Sequence, residues 1–73
     1  MEFNEKLQEL RKKNNLTQEE LAEKLYVSRT AISKWESGRG YPGIESLKAI
    51  SKFFSVSFSH TVYLFLFASQ STL

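Results

Sequence analysis

The apolar positions of this chain recur at helical spacing from its start. Phe3, Leu7 and Leu10 fall at i, i+4 and i+7, while Glu5, Lys6, Glu9, Lys12 and Lys13 occupy the other face. At about 100° per residue this pattern predicts one amphipathic helix. Asn14 and Asn15 suit its end, because asparagine tolerates the left-handed backbone conformation. Leu21, Ala22 and Leu25 mark a second buried stripe. Thr17 is a natural N-cap for it, and Glu20, three residues on, completes a capping box. Glu19 and Glu20 sit in the first turn, where the helix dipole favours acids. Tyr26 and Val27 make a tight connection to Ser28, which caps a third helix that Gly38 ends. Ala31, Ile32 and Trp35 share the inner side of that helix, with Glu36 at the border. After the loop "RGYPG", the spacing of Ile44, Leu47, Ile50 and Phe54 predicts a fourth helix over 44–54. The expected core is Leu7, Leu10, Leu21, Ala22, Leu25, Ile32, Trp35, Leu47 and Ile50.

The pattern changes after Ser57. A helix there would place Phe58, Val62 and Phe65 on one face and Tyr63, Leu64 and Phe67 on the opposite one. Thr61 to Phe67 is also rich in β-branched and aromatic residues, which suits a strand. Both faces are apolar in either form, so the segment calls for cover from protein. Val62 to Ala68 is far short of the about 20 apolar residues a bilayer span needs, so no membrane span is expected. The division expected is a domain over 1–57 and an apolar C-terminal segment over 58–73, acting as a fifth helix or a dimerisation element.

Composition narrows the class. Seventy-three residues allow one small domain, here all-α. There is no cysteine, which excludes disulfides and thiolate metal sites and fits a cytoplasmic setting. A net charge of +2 and a pI near 9.0 permit a polyanionic partner without demanding one. The placement of charge says more: every charged residue lies between Glu2 and Lys52. His60 is the single histidine, and its neighbours Ser57, Ser59 and Thr61 are adjacent only along the chain. A catalytic triad must converge in space, so this is no sign of one. With no glycine-rich phosphate loop and no cluster of metal ligands, no catalytic residue, metal or cofactor is expected, and the chain does not read as an enzyme.

The outer face of the third helix carries the candidate chemistry. Arg29, Thr30, Ser33, Lys34 and Ser37 give it two long cations, three small hydroxyls and no acid. Two helices joined by a short turn can place the second in a DNA major groove, with its outer face on the base edges. Such a face must be polar and free of acids, because it sits among phosphates. Arg29 can donate in bidentate fashion to guanine O6 and N7, and Thr30 can meet a thymine methyl or hydrogen-bond a base. Lys34 reaches a base or a phosphate, and Ser28 and Ser33 are short enough to allow close approach. A solvated helix in a small bundle has the same periodicity, so composition alone does not separate the two.

The order of motifs does. "LTQEELAEKL", "VSRTAISKWESG" and "YPGIESL" follow one another at the right distances over about residues 3–58. This stretch resembles the helix-turn-helix family of phage repressors and Cro proteins, the XRE class of bacterial regulators. The resemblance implies a compact lambda-repressor-like fold of four to five helices. It implies a sequence-specific, repressor-like regulator of transcription that binds double-stranded DNA as a homodimer on a palindromic operator. Matched position by position, Arg29, Thr30, Ser33 and Lys34 would read bases, and Gln18, Ser28, Arg39, Gly40 and Tyr41 would meet phosphates. Arg11 and Glu36 match positions that often pair in the family, so an ion pair tying the first helix to the third is expected. Three departures stand out. Tyr26 replaces a frequent glycine in the turn, at some local strain; Gly43 replaces an acidic N-cap; and the segment after Ser57 lacks the acids of the usual fifth helix. A second function class, a protein-interaction module docking a partner through the apolar C-terminal segment, stays open beside the first.

Overall fold

The computed structural model describes residues 2–54, which form four helices: α1 (Phe3–Lys13), α2 (Gln18–Leu25), α3 (Arg29–Ser37) and α4 (Ile44–Phe54). Among the described residues there is no strand. The boundaries follow local chemistry. At α1, the Glu2 amide donates to Glu5 Oε1 at 3.0 Å. At α2, Thr17 Oγ1 accepts from the Glu20 amide at 3.0 Å, and Glu20 Oε1 accepts from the Thr17 amide at 2.8 Å. At α3, Ser28 Oγ accepts from the Ala31 amide at 3.1 Å. Each bond satisfies a donor that a helix start would leave without a partner.

The first three helices stop by one device. Asn15, Tyr26 and Gly38 are left-handed, at φ 58°, 58° and 79°. The residue after each folds its amide back onto the last turn. Leu16 donates to the Arg11 carbonyl at 3.1 Å, Val27 to Ala22 at 3.0 Å and Arg39 to Lys34 at 3.0 Å. These are Schellman closures, which satisfy carbonyls at the helix end. Leu16 and Val27 then pack against the core, so two of the three closures also turn the chain inward.

The core consists of Phe3, Leu7, Leu21, Ala22, Leu25, Ile32, Trp35, Leu47 and Ile50. Helix α3 packs against both α1 and α2, and α4 packs against α2. Leu21 and Ile32 are wholly buried. One expectation needs correction. Leu10 is only half-buried, because the buried stripe of α1 runs Phe3, Leu7, Arg11 and leaves Leu10 at its edge. Ile44 is 55% exposed, because the buried face of α4 consists of Leu47, Ile50 and Ser51, beyond its first turn. The C-terminal segment over 58–73, expected as helix or strand, lies outside the described residues.

Candidate nucleic-acid interface

Helix α3 is held in one rotation by its inner side. Ile32, Trp35 and Glu36 are buried. Its outer side is consequently fixed: Arg29, Thr30, Lys34 and Ser37 are exposed and Ser33 is half-buried. These side chains form one continuous acid-free face. The one acid on the helix, Glu36, is turned inward and is 7% exposed.

That buried acid is fully engaged. Arg11 Nε donates to Glu36 Oε2 at 2.6 Å and Nη2 donates to Oε1 at 2.9 Å. The fork is bidentate, the geometry in which guanidinium and carboxylate match best. Arg11 Nη1 donates onward to the Leu16 carbonyl at 2.8 Å, in the α1–α2 connection. Gln18 Nε2, in the first turn of α2, donates to Glu36 Oε1 at 3.1 Å. One carboxylate therefore joins α1, the connection, α2 and α3. The hydrogen bond to Glu36 raises the Arg11 pKa above its ordinary value, against the opposing effect of burial. No buried side-chain nitrogen or oxygen among the described residues lacks a partner.

The remaining candidates border the α3 face. Ser28 is exposed at the helix start, its hydroxyl used in capping. Arg39 follows the helix end, and its Nε donates to Ser37 Oγ at 2.9 Å. Ser37 Oγ in turn donates to the Lys34 carbonyl at 3.1 Å, which tethers Arg39 beside the exposed face. Gly40 runs close along α3: a Cβ there would sit 3.8 Å from Lys34 Cβ. Tyr41 stacks at a tilt on Phe3, with ring centroids 6.3 Å apart, and stays 38% exposed. Gln18, Ser28, Arg39 and the face of α3 thus belong to the helix-turn-helix unit and its flanks. Sequence reasoning placed Gln18 at the start of α2 but did not foresee its bond to Glu36. Nothing in the pattern of polar residues distinguishes a glutamine that faces solvent from one that faces a buried acid.

Among the described residues, no group of three or more His, Asp or Glu could hold a metal ion, and no helix is long and apolar enough to cross a membrane.

Comparison with known proteins agrees with this geometry. A family model described as Helix-turn-helix matches residues 7–60. The chain is 81% identical over 57 residues to the HTH-type transcriptional activator BcrR of Enterococcus faecalis, covering 78% of this chain and 28% of that protein. It is 37% identical over 57 residues to the transcriptional repressor RstR of a cryptic phage in Vibrio cholerae, covering 78% of this chain and 51% of the relative. It is also 47% identical over 51 residues to an uncharacterised HTH-type regulator of Methanocaldococcus jannaschii, covering 70% of this chain and 77% of the relative. The chain therefore spans about a quarter to three quarters of the length of these relatives. It belongs to the helix-turn-helix family of the XRE class, a family of transcriptional regulators that includes phage repressors.

Proposed function

We propose that this chain is a sequence-specific, double-stranded DNA-binding regulator that lays α3 in the major groove. The observation that carries the reading is the outer face of α3. Arg29, Thr30 and Lys34 are exposed together, Ser33 lies among them, and the helix's one acid is turned away and paired. In this reading Arg29, Thr30, Ser33 and Lys34 meet base edges, and each good contact contributes roughly 1–3 kcal/mol of discrimination. Gln18, Ser28, Arg39, Gly40 and Tyr41 meet phosphates and set the register. The tether from Ser37 to Arg39 supports that assignment, since it holds a cation beside the reading face.

The regulator acts as a homodimer in the cytoplasm of a bacterium or in a phage-infected cell, and the residues over 58–73 supply the dimer contact or dock a protein partner. Two-fold symmetry in the protein then requires a palindromic operator with half-sites about one helical turn apart. Activators and repressors both occur among the relatives, so the reading face serves either sign of regulation. Selection from a randomised duplex library tests the proposal. An enriched palindrome is the expected result. A single enriched half-site would remove the dimer from the account, and no enrichment at low or moderate salt would remove sequence-specific binding altogether.

A further inference from the structure

Glu36 presents a difficulty for a DNA-binding helix. A carboxylate on α3 repels phosphate, yet here it is retained, buried and paired with Arg11. Neutralising the acid accounts for Arg11 but not for the third donor. Gln18 Nε2 bonds to Glu36 Oε1 at 3.1 Å, from the first turn of α2, where Gln18 is half-buried. A carboxylate can only accept, so this bond settles which end of the Gln18 amide faces inward. The nitrogen points to Glu36. Its second proton leaves the planar amide at about 120° to the first. The Gln18 side chain makes no other hydrogen bond among the described residues. A donor at the start of a helix, with its orientation already fixed, suits an anion there.

We propose that Glu36 is a positioning residue: its carboxylate holds the Gln18 amide with one N–H presented to a DNA phosphate. The inference rests on the DNA-binding reading above. Its physical content is pre-organisation. A free glutamine at an exposed helix start loses rotamer freedom when it meets a phosphate, whereas one already tied to Glu36 has lost it on folding. The Arg11 fork holds Glu36 in place at both oxygens, so the same three groups link the α1 scaffold to a phosphate contact on α2 and the reading face on α3.

The test uses the whole chain and a short mixed-sequence DNA duplex, because a phosphate contact is indifferent to sequence. Four proteins are compared: wild type, Gln18→Ala, the paired swap Arg11→Met with Glu36→Leu, and the swap combined with Gln18→Ala. The swap replaces the ion pair with apolar groups of similar size, a change that buried pairs often tolerate. Thermal melting verifies folding. Gln18→Ala and the swap should each weaken duplex binding roughly tenfold, and their combination should weaken it no more than either alone. A swap that binds like wild type, or losses that multiply, would overturn the proposal while leaving DNA binding intact. A wild-type chain that retains no duplex even at low salt would overturn the DNA-binding reading and this inference with it. Should the swap fail to fold, the side-chain amide of Gln18 in wild type decides. Its ¹⁵N relaxation should match the backbone of α3; mobility equal to that of the Gln8 side chain, which makes no such bond, would overturn the proposal.

Discussion

At the residue scale, Arg11 and Glu36 show where a reading of polarity stops. Both are charged, and pattern alone assigns charge to the surface. Yet Arg11 takes the third place in the buried stripe of α1, and Leu10 moves to the edge. The family resemblance pointed to the pair; hydrophobic periodicity could not, because it scores a buried arginine as a break in the stripe. The two residues are unequal to ordinary surface partners. Arg11→Met alone should destabilise the fold by about 3–5 kcal/mol, since it leaves Glu36 buried with its charge uncompensated. Urea denaturation checks this. A loss below about 1 kcal/mol, typical of an exposed pair, would contradict the burial described here. By contrast, Leu7, Leu21, Ile32, Trp35 and Leu47 were legible from spacing, because apolar side chains at helical intervals have few alternatives to a shared core.

At the scale of elements, the helix starts and stops were the most readable features, because each depends on two or three adjacent residues. The Thr17–Glu20 capping box, the Ser28 cap and the Gly38 stop all follow from local chemistry. Gly38 and Tyr26 adopt the same left-handed conformation, and they respond oppositely to exchange. Gly38→Ala should cost about 1–2 kcal/mol from backbone conformation alone. The space around Gly38 is adequate: the nearest neighbour of an added Cβ is Asn4 Nδ2 at 3.7 Å. Tyr26→Gly should stabilise the fold by up to about 1 kcal/mol, because relief of the left-handed strain outweighs the chain entropy of glycine. The lost side chain takes little burial with it, being 95% exposed. Thermal melts of both variants check the pair of signs. The segment after Ser57 was unreadable for the opposite reason. With apolar residues on both faces, neither a period of 3.6 nor a period of 2 is selected.

At the scale of the whole molecule, the net charge of +2 said little, while the arrangement of charge on the folded surface says more. The resemblance implied a tie from α1 to α3, but the link from Glu36 to Gln18 emerged only when three elements met. DNA binding through phosphates makes affinity fall linearly with the logarithm of salt concentration. Arg39→Ala should weaken binding to all sequences and lower that slope by about 1. Gln18→Ala should weaken binding without changing the slope, because glutamine displaces no counterion. The central claim is that the outer face of α3 reads bases, and Arg29 is its longest donor. The most direct measurement selects bound duplexes from one randomised library with wild type, Arg29→Ala and Arg39→Ala, and compares the enriched motifs position by position. Arg29→Ala should lose preference at one position of each half-site, while Arg39→Ala should keep the wild-type motif at reduced affinity. An unchanged motif for Arg29→Ala would contradict the central claim.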